Sequence, residues 1–265
     1  MKMIGHLSPA EAAGIKYVLM DIDDTLTSKG KLPALSYEAL WKLKEAGLKV
    51  IPVTGRPAGW CDLIAREWPT DGVIGENGAL AFFEEAGNGP ENLPVLKAEY
   101  HPNAIRNDHP VLAGVKERAF KEFPEIRLAK DQFSRLFDIA FDFAEEEPVL
   151  PLDTAIRIKT MAEEAGAKAK ISSIHINVWM GNYDKLSMAE NFLSKHFGWN
   201  GDTTKVFFVG DSPNDEPMFT RFPLSSAVAN IRRYEGLIKN LPAYVASKES
   251  GGGFAEIANT LLEKK

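Results

Sequence analysis

Tyr17-Val18-Leu19-Met20-Asp21-Ile22-Asp23-Asp24-Thr25 is the stretch that decides the fold. It begins as an unbroken apolar run, the pattern of a strand buried on both faces, and stops abruptly on carboxylates. Residues two apart in a strand point the same way, so Asp21 and Asp23 are expected to project together. In a parallel sheet flanked by helices, ligands bind beyond the carboxyl ends of the strands. Two carboxylates held that close repel each other unless a cation joins them, and a hard, oxygen-seeking cation such as Mg2+ meets the need. Taken alone, Asp-x-Asp-x-Thr matches by chance about as often as it marks a site. The rest of the chain settles its meaning.

The same pattern recurs twice. Leu48 to Val53 is an apolar run ending on Thr54-Gly55-Arg56, and Lys205 to Gly210 is another ending on Asp211. A third, short strand over Asp71-Gly72-Val73-Ile74 leads to Glu76-Asn77-Gly78-Ala79. Between the strands lie helical patterns. One runs from Tyr37 to Ala46, with Ser36 as N-cap and Gly47 as stop, and the next puts Trp60, Leu63, Ile64 and Trp68 on its apolar positions. A helix over Asp184 to His196 ends at Gly198. Short strands near 226–229 and 243–246 precede a C-terminal amphipathic helix that Gly251-Gly252-Gly253 leads into. Strands alternating with helices predict an α/β fold, a doubly wound parallel-sheet, Rossmann-like core.

The rhythm breaks near Glu84. Residues 135–141 and 171–179 alternate as half-buried antiparallel strands do, and Asp153 caps a helix reaching about Ala165. We therefore expect a core built from residues 1–83 and 181–265, with residues 84–180 inserted as an α+β cap.

The chain has 265 residues, 45% of them hydrophobic, and a net charge of −6. An acidic balance argues against nucleic acid as the main partner, because phosphate backbones select basic patches. No apolar run reaches membrane-spanning length, and the N-terminus lacks the apolar segment of a signal peptide. A single cysteine, Cys61, fits a reducing cytoplasm and reads as a small buried apolar residue rather than a nucleophile. The expectation is a cytoplasmic monomer or homodimer whose partner is a small molecule rather than nucleic acid or membrane.

The polar ends of the buried strands should meet on one rim. Asp21, Asp23, Asp211 and Asp215 offer oxygen ligands, while Thr54, the Gly55 amide, Asn214 and Lys185 offer donors. Acceptors for a metal beside donors for an anion are what phosphoryl transfer needs, since its catalysis is mostly positioning and charge stabilisation. No Gly-x-x-x-x-Gly-Lys-Ser/Thr loop is present, which disfavours a nucleotide-cradling mechanism.

With these motifs in register, the chain resembles the haloacid dehalogenase-like phosphohydrolases. Asp21-Ile22-Asp23-Asp24-Thr25 is similar to the first family motif, Thr54-Gly55-Arg56 to the second and Asp184-Lys185 to the third. Gly210-Asp211-Ser212-Pro213-Asn214-Asp215 is similar to the fourth. The insertion between the second and third motifs, and Glu76-Asn77-Gly78-Ala79, resemble the Cof-type branch, which includes sugar-phosphate phosphatases. The fourth motif also looks like that of mannosyl-3-phosphoglycerate phosphatases. Asp24 and Leu186 depart from that branch, which usually has Gly at both places. The resemblance implies Asp21 as nucleophile, Asp23 as general acid and base, and Thr54 and Lys185 balancing charge on the phosphoryl oxygens. It implies Mg2+ on Asp21, Asp211 and the backbone carbonyl of Asp23, with Asp215 ligating directly or through another ligand.

Gly55, Arg56, Asn77 and Asn214 are candidate substrate contacts. His175, Asn177 and Trp179 share one strand face, where they either line the pocket or sit half buried against a cap helix. Arg135 and Arg157 reach either a second anion on the substrate or the acidic cap surface, and the second is favoured. His101 and His109 read as surface residues, and Glu145-Glu146-Glu147 as a solvated turn. The expected function is a Mg2+-dependent phosphatase of a small phosphorylated metabolite, a sugar phosphate first among them. A phosphomutase and a catalytically idle sensor are the alternatives.

Overall fold

The computed structural model describes residues 1–265. The chain opens with β1 (Lys2–Met3), α1 (Pro9–Gly14), β2 (Tyr17–Met20), α2 (Ala34–Glu45), β3 (Lys49–Pro52), α3 (Ala58–Glu67) and β4 (Val73–Gly75). It continues through β5 (Leu80–Glu85), β6 (Val95–Tyr100), α4 (Pro110–Glu122), β7 (Arg127–Leu128), β8 (Asp138–Asp142), α5 (Leu152–Glu164), β9 (Lys168–Ile171) and β10 (His175–Trp179). It closes with α6 (Lys185–Phe197), β11 (Val206–Gly210), α7 (Glu216–Arg221), β12 (Ser225–Ala227), β13 (Tyr244–Val245) and α8 (Ser250–Lys264).

Six strands form a parallel sheet in the order β1-β13-β12-β11-β2-β3. The neighbouring inner strands β2 and β11 are buried along their whole length. Their alternate residues feed two apolar layers: Val18, Met20, Phe207 and Val209 on one face, Leu19, Val206 and Phe208 on the other. That is why these strands read as continuous apolar runs instead of alternating ones. The expected Rossmann-like core with an inserted α+β cap is the fold observed.

A parallel bridge between Val53 and Ile74 extends the core edge to β4, which with β5 and β6 forms an antiparallel sheet leading into the insertion. A second antiparallel sheet, ordered β7-β8-β10-β9, follows. Helices α4 and α5 cover one of its faces through Leu112, Val115 and Ile158, which pack with Ile139, Phe141, Ile176 and Val178.

Several local expectations are corrected. The 135–141 segment starts later as β8, and both its faces are buried, because the face carrying Asp138 and Asp142 is covered as well. The alternation was real, but its polar side does not face water. The single strand expected over 171–179 is a hairpin, β9 and β10, turning at Ser172 to Ile174. Helix α2 starts at Ala34 behind Pro33, and Ser36 lies buried inside it, donating to the Gly251 carbonyl at 3.1 Å. Pro151, not Asp153, precedes α5. In α3 the buried residues are Ala58, Cys61, Ile64 and Ala65, while Trp60 and Leu63 are exposed. Small residues let that helix approach the sheet closely. The three glycines at 251–253 lie within α8 rather than before it.

Candidate active site

Strand β2 ends at Met20 and β11 at Gly210, adjacent and parallel, so Asp21 and Asp211 emerge side by side at the carboxyl edge of the sheet. The turn after β11, Pro213 to Asp215, folds back so that Asp215 lies against Gly210. A side chain at Gly210 would collide with the Asp215 carboxylate, which makes glycine a steric requirement here. One carboxylate oxygen each from Asp21, Asp211 and Asp215 lies within 4.8 Å of the others, and all three residues are buried.

Lys185 reaches this cluster from the first residue of α6. Asp184 caps that helix, accepting from the Ser187 amide at 2.8 Å. Gly78 sits against the Asp184 carbonyl with φ +103°, where a side chain would both clash and strain, so the Glu76-Asn77-Gly78 turn fixes where α6 begins. The Lys185 Nζ donates to Asp21 at 2.6 Å and to Asp215 at 2.8 Å. The second Asp215 oxygen accepts the Asp211 amide at 3.0 Å. Asp211 accepts from Thr25 Oγ1 at 3.3 Å and from Asn230 Nδ2 at 3.0 Å. Thr25 stood in the first motif without an assigned role, whereas Asn230, far away in sequence, was not foreseen and carried no motif to reveal it.

The charges do not balance: three buried carboxylates face one ammonium. Burial pushes the Asp21 carboxyl up to about 7, with the Asp215 and Asp23 charges adding to it and Lys185 opposing. Asp211 is likewise raised well above the usual range, by burial first and then by Asp21 and Asp215. Lys185 is raised, since the attraction of Asp21 and Asp215 outweighs its own burial. A cluster of hard oxygen donors with unneutralised negative charge is the donor set a Mg2+ ion takes. The residues fit that cation.

Asp23 stands apart from the cluster. Its carboxylate is held by Arg56, at 2.9 Å from Nε and 2.8 Å from Nη2. Arg56 is buried, lies over the Trp60 ring at 4.3 Å and also pairs with Asp131 at 3.2 Å and Glu145 at 2.7 Å. Glu145 is therefore no solvated turn residue. His175 pairs with its other oxygen at 2.8 Å, and with Arg56 outweighs burial to bring Glu145 down to about 2. Asp24 has φ +56°, the left-handed region that glycine enters most readily and aspartate more readily than most residues. The departure from glycine at this position is thus conformationally tolerable.

The remaining candidates are placed as follows. Thr54 is fully buried and its Oγ1 accepts the Arg56 amide at 3.0 Å. Asn77, with φ +54°, donates its amide to the Thr54 carbonyl at 3.0 Å, while its buried Nδ2 has no partner. Gly55 faces both Asn77 and Asn177. Asn177 donates to Asp138 at 2.8 Å, and Asp138 in turn accepts from Arg135 at 3.0 Å. Arg135 also donates to the Gly55 carbonyl at 2.9 Å, so it is a buried tie between cap and core. Trp179 is packed in the apolar core, 5.5 Å from Tyr183 between ring centres, and is not brought to the carboxylates. Arg157 stacks on Phe123 at 4.7 Å. His101 is buried rather than exposed, beside Tyr183. Glu76 stood in a quoted motif, but its role was not foreseen. Its carboxylate accepts from the amides of Ala58 at 3.0 Å, Leu136 at 2.9 Å and Phe137 at 2.6 Å, fastening the cap to the core.

Residues 18–98 match the family model of haloacid dehalogenase-like hydrolases. No curated protein matches the chain in sequence. Among solved structures, the chain is similar to Thermoplasma acidophilum 0175 at 20% identity and a TM-score of 0.67, covering 95% of this chain and 99% of that one. A HAD/COF-like hydrolase from Plasmodium vivax gives 20% identity and 0.67, with 97% and 100% covered. A HAD subclass IIB sugar phosphatase gives 17% and 0.61, with 92% and 98% covered. The family match thus spans residues 18–98, while along nearly the whole chain the fold is similar to that of a capped HAD/COF-like hydrolase.

Proposed function

We propose that the protein is a Mg2+-dependent phosphatase that hydrolyses the phosphate monoester of a small metabolite. The observation that carries this is the Asp21–Lys185–Asp215 chain beside Asp211 at the carboxyl ends of two buried parallel strands. Asp21 keeps one oxygen on Lys185, which leaves the other to attack phosphorus in line and form an aspartyl-phosphate. Asp23, at the margin of the cleft, is the group to protonate the leaving oxygen and then deprotonate the water that releases phosphate. Thr54 and Lys185 offer donors to the phosphoryl oxygens. Asp21, Asp211 and the Asp23 carbonyl would hold Mg2+, with Asp215, already engaged by Lys185 and a backbone amide, supporting them. When bound, the ion neutralises phosphoryl oxygens and lowers the mutual repulsion of the carboxylates. Sugar phosphates are the first class to try, because that is what a structurally similar protein is named for.

Phosphate release from sugar phosphates, phosphoglycerate conjugates and aryl phosphates tests this, with Mg2+ and with EDTA, for wild type and Asp21→Asn. Release that needs both the cation and Asp21 is expected. Release that survives EDTA or Asp21→Asn would defeat the reading, and a requirement for a bisphosphate activator would favour a mutase.

A further inference from the structure

The Asp23 carboxyl, the acid of the reaction proposed above, is not free in the cleft. It lines a cavity of about 170 Å³ together with Arg56 and Glu145. Arg56 belongs to the core, whereas Glu145 lies in the loop after β8 of the insertion. A guanidinium carries its N–H donors in a rigid planar fork, so partners on one edge fix what the other edge can reach. Nε and Nη2 grip Asp23, Nη2 also meets Glu145 at 2.7 Å, and Nη1 donates to Asp131 at 3.2 Å. With Trp60 against its face as well, Arg56 has little left to offer a substrate anion.

The two carboxylates that the insertion supplies are themselves anchored. The second Glu145 oxygen pairs with His175 at 2.8 Å, and the Glu145 amide donates to Asp142 at 2.8 Å. Arg127 reaches Asp142 at 3.1 Å and the carbonyls of Glu146 and Glu147 at 2.8 Å and 2.7 Å, fastening the loop before and after Glu145. Asp131 comes from a separate turn over 130–134, and its second oxygen accepts from Arg135 at 3.1 Å. Insertion and core are already joined at Glu76 and Arg135, so a mere tie needs none of this. A reacting group misplaced by about 1 Å can cost about a hundredfold in rate, and a bidentate arginine constrains geometry as well as adding energy.

We propose that Glu145, assisted by Asp131, is a positioning residue for the reaction: from the insertion it fixes the plane of Arg56, and Arg56 aims the Asp23 carboxyl at the leaving oxygen. The proposal rests on the phosphatase reading above and assigns Arg56 to the acid rather than to the substrate.

The test compares kcat/KM for phenyl phosphate, whose leaving group needs a proton, with that for 2,4-dinitrophenyl phosphate, whose leaving group departs without one. Wild type, Glu145→Ala, Glu145→Gln, Asp131→Asn and Asp23→Asn are used, each checked for folding by circular dichroism. Setting each variant's ratio against that of wild type cancels differences in how the two aryl bodies bind. Glu145→Ala is expected to lower the phenyl value by about 30-fold and the dinitrophenyl value by less than about threefold. Glu145→Gln, which keeps the length and an acceptor oxygen, should restore most of the loss. Asp131→Asn should show the same preference at about fivefold, and it decides the matter should Glu145→Ala not fold. Asp23→Asn should show the preference most strongly. An even loss on both compounds, or none, in the Glu145 and Asp131 variants while Asp23→Asn keeps its preference would overturn the proposal alone. Asp23→Asn without that preference would overturn it together with the role given to Asp23, and no release from either compound by folded wild type would overturn it together with the phosphatase reading.

Discussion

At the seam between insertion and core, the buried Glu76 carboxylate accepts the amides of Ala58, Leu136 and Phe137, and Asp138 is answered by Arg135 and Asn177. At the sheet rim, the equally buried Asp211 has one hydroxyl and one amide side chain, and faces two more carboxylates. Both places cost desolvation. At the seam, backbone amides offset part of that cost, with burial and then Asp138 still raising the Glu76 carboxyl to about 7, and the result is architecture. At the rim the donors are too few, and excess negative charge is left unmatched. Buried acids alone do not reveal a site; their degree of satisfaction does.

The largest test of that contrast is kinetic. Asp21→Asn should lower kcat by about 10⁴-fold or more while leaving the melting temperature equal or higher, because one of three repelling carboxylates is neutralised. A fall in stability would mean that the rim, too, is structural. Second, Glu76→Ala strands several buried amides at the seam. We expect a loss of about 3 kcal/mol in urea unfolding and faster proteolysis within residues 131–138. An unchanged midpoint would show that the seam's hydrogen bonds contribute nothing.

A third test uses pH. Glu145 is held near 2 against a usual value near 4.5, so its contribution is fully present above about 4.5 and is lost as pH falls towards 2. Half-burial scales this to about 1–2 kcal/mol. Hydrogen-exchange protection factors, corrected for the intrinsic pH dependence of exchange, should fall at the Asp131 and Glu145 segments over that window in wild type and fall less in Glu145→Gln. The smallest effect belongs to Asp24→Gly. Relief of φ +56° should shift stability by about 1 kcal/mol or less, with activity changed only a few-fold. A large loss of activity would give the Asp24 carboxyl a chemical role.

The rim was legible because a parallel sheet leaves a simple trace: apolar runs that end on Asp21, Thr54 and Asp211 must end at the same edge. Asp184 and Lys185 were readable as a helix start. The seam was not legible, since its partners are joined by tertiary packing alone. Arg56 could be named, but nothing local shows that Asp131 and Glu145 converge on it from across the cap. Helix α3 misled for a related reason: Trp60 looked like core, yet its ring supports a guanidinium at the surface of the cleft. The face of β10 was read in the right register, but its polar residues meet the cap's own charged groups, with Asn177 alone of them also facing the Thr54-Gly55 loop.

The central claim is that Asp21 accepts the phosphoryl group. The most direct measurement is acid quenching during turnover of a labelled phosphate monoester in Mg2+, followed by peptide mapping. The account predicts label on the peptide containing Asp21, discharged by hydroxylamine and absent from Asp21→Asn. Turnover with no label on that peptide, or with label on another residue, would contradict it.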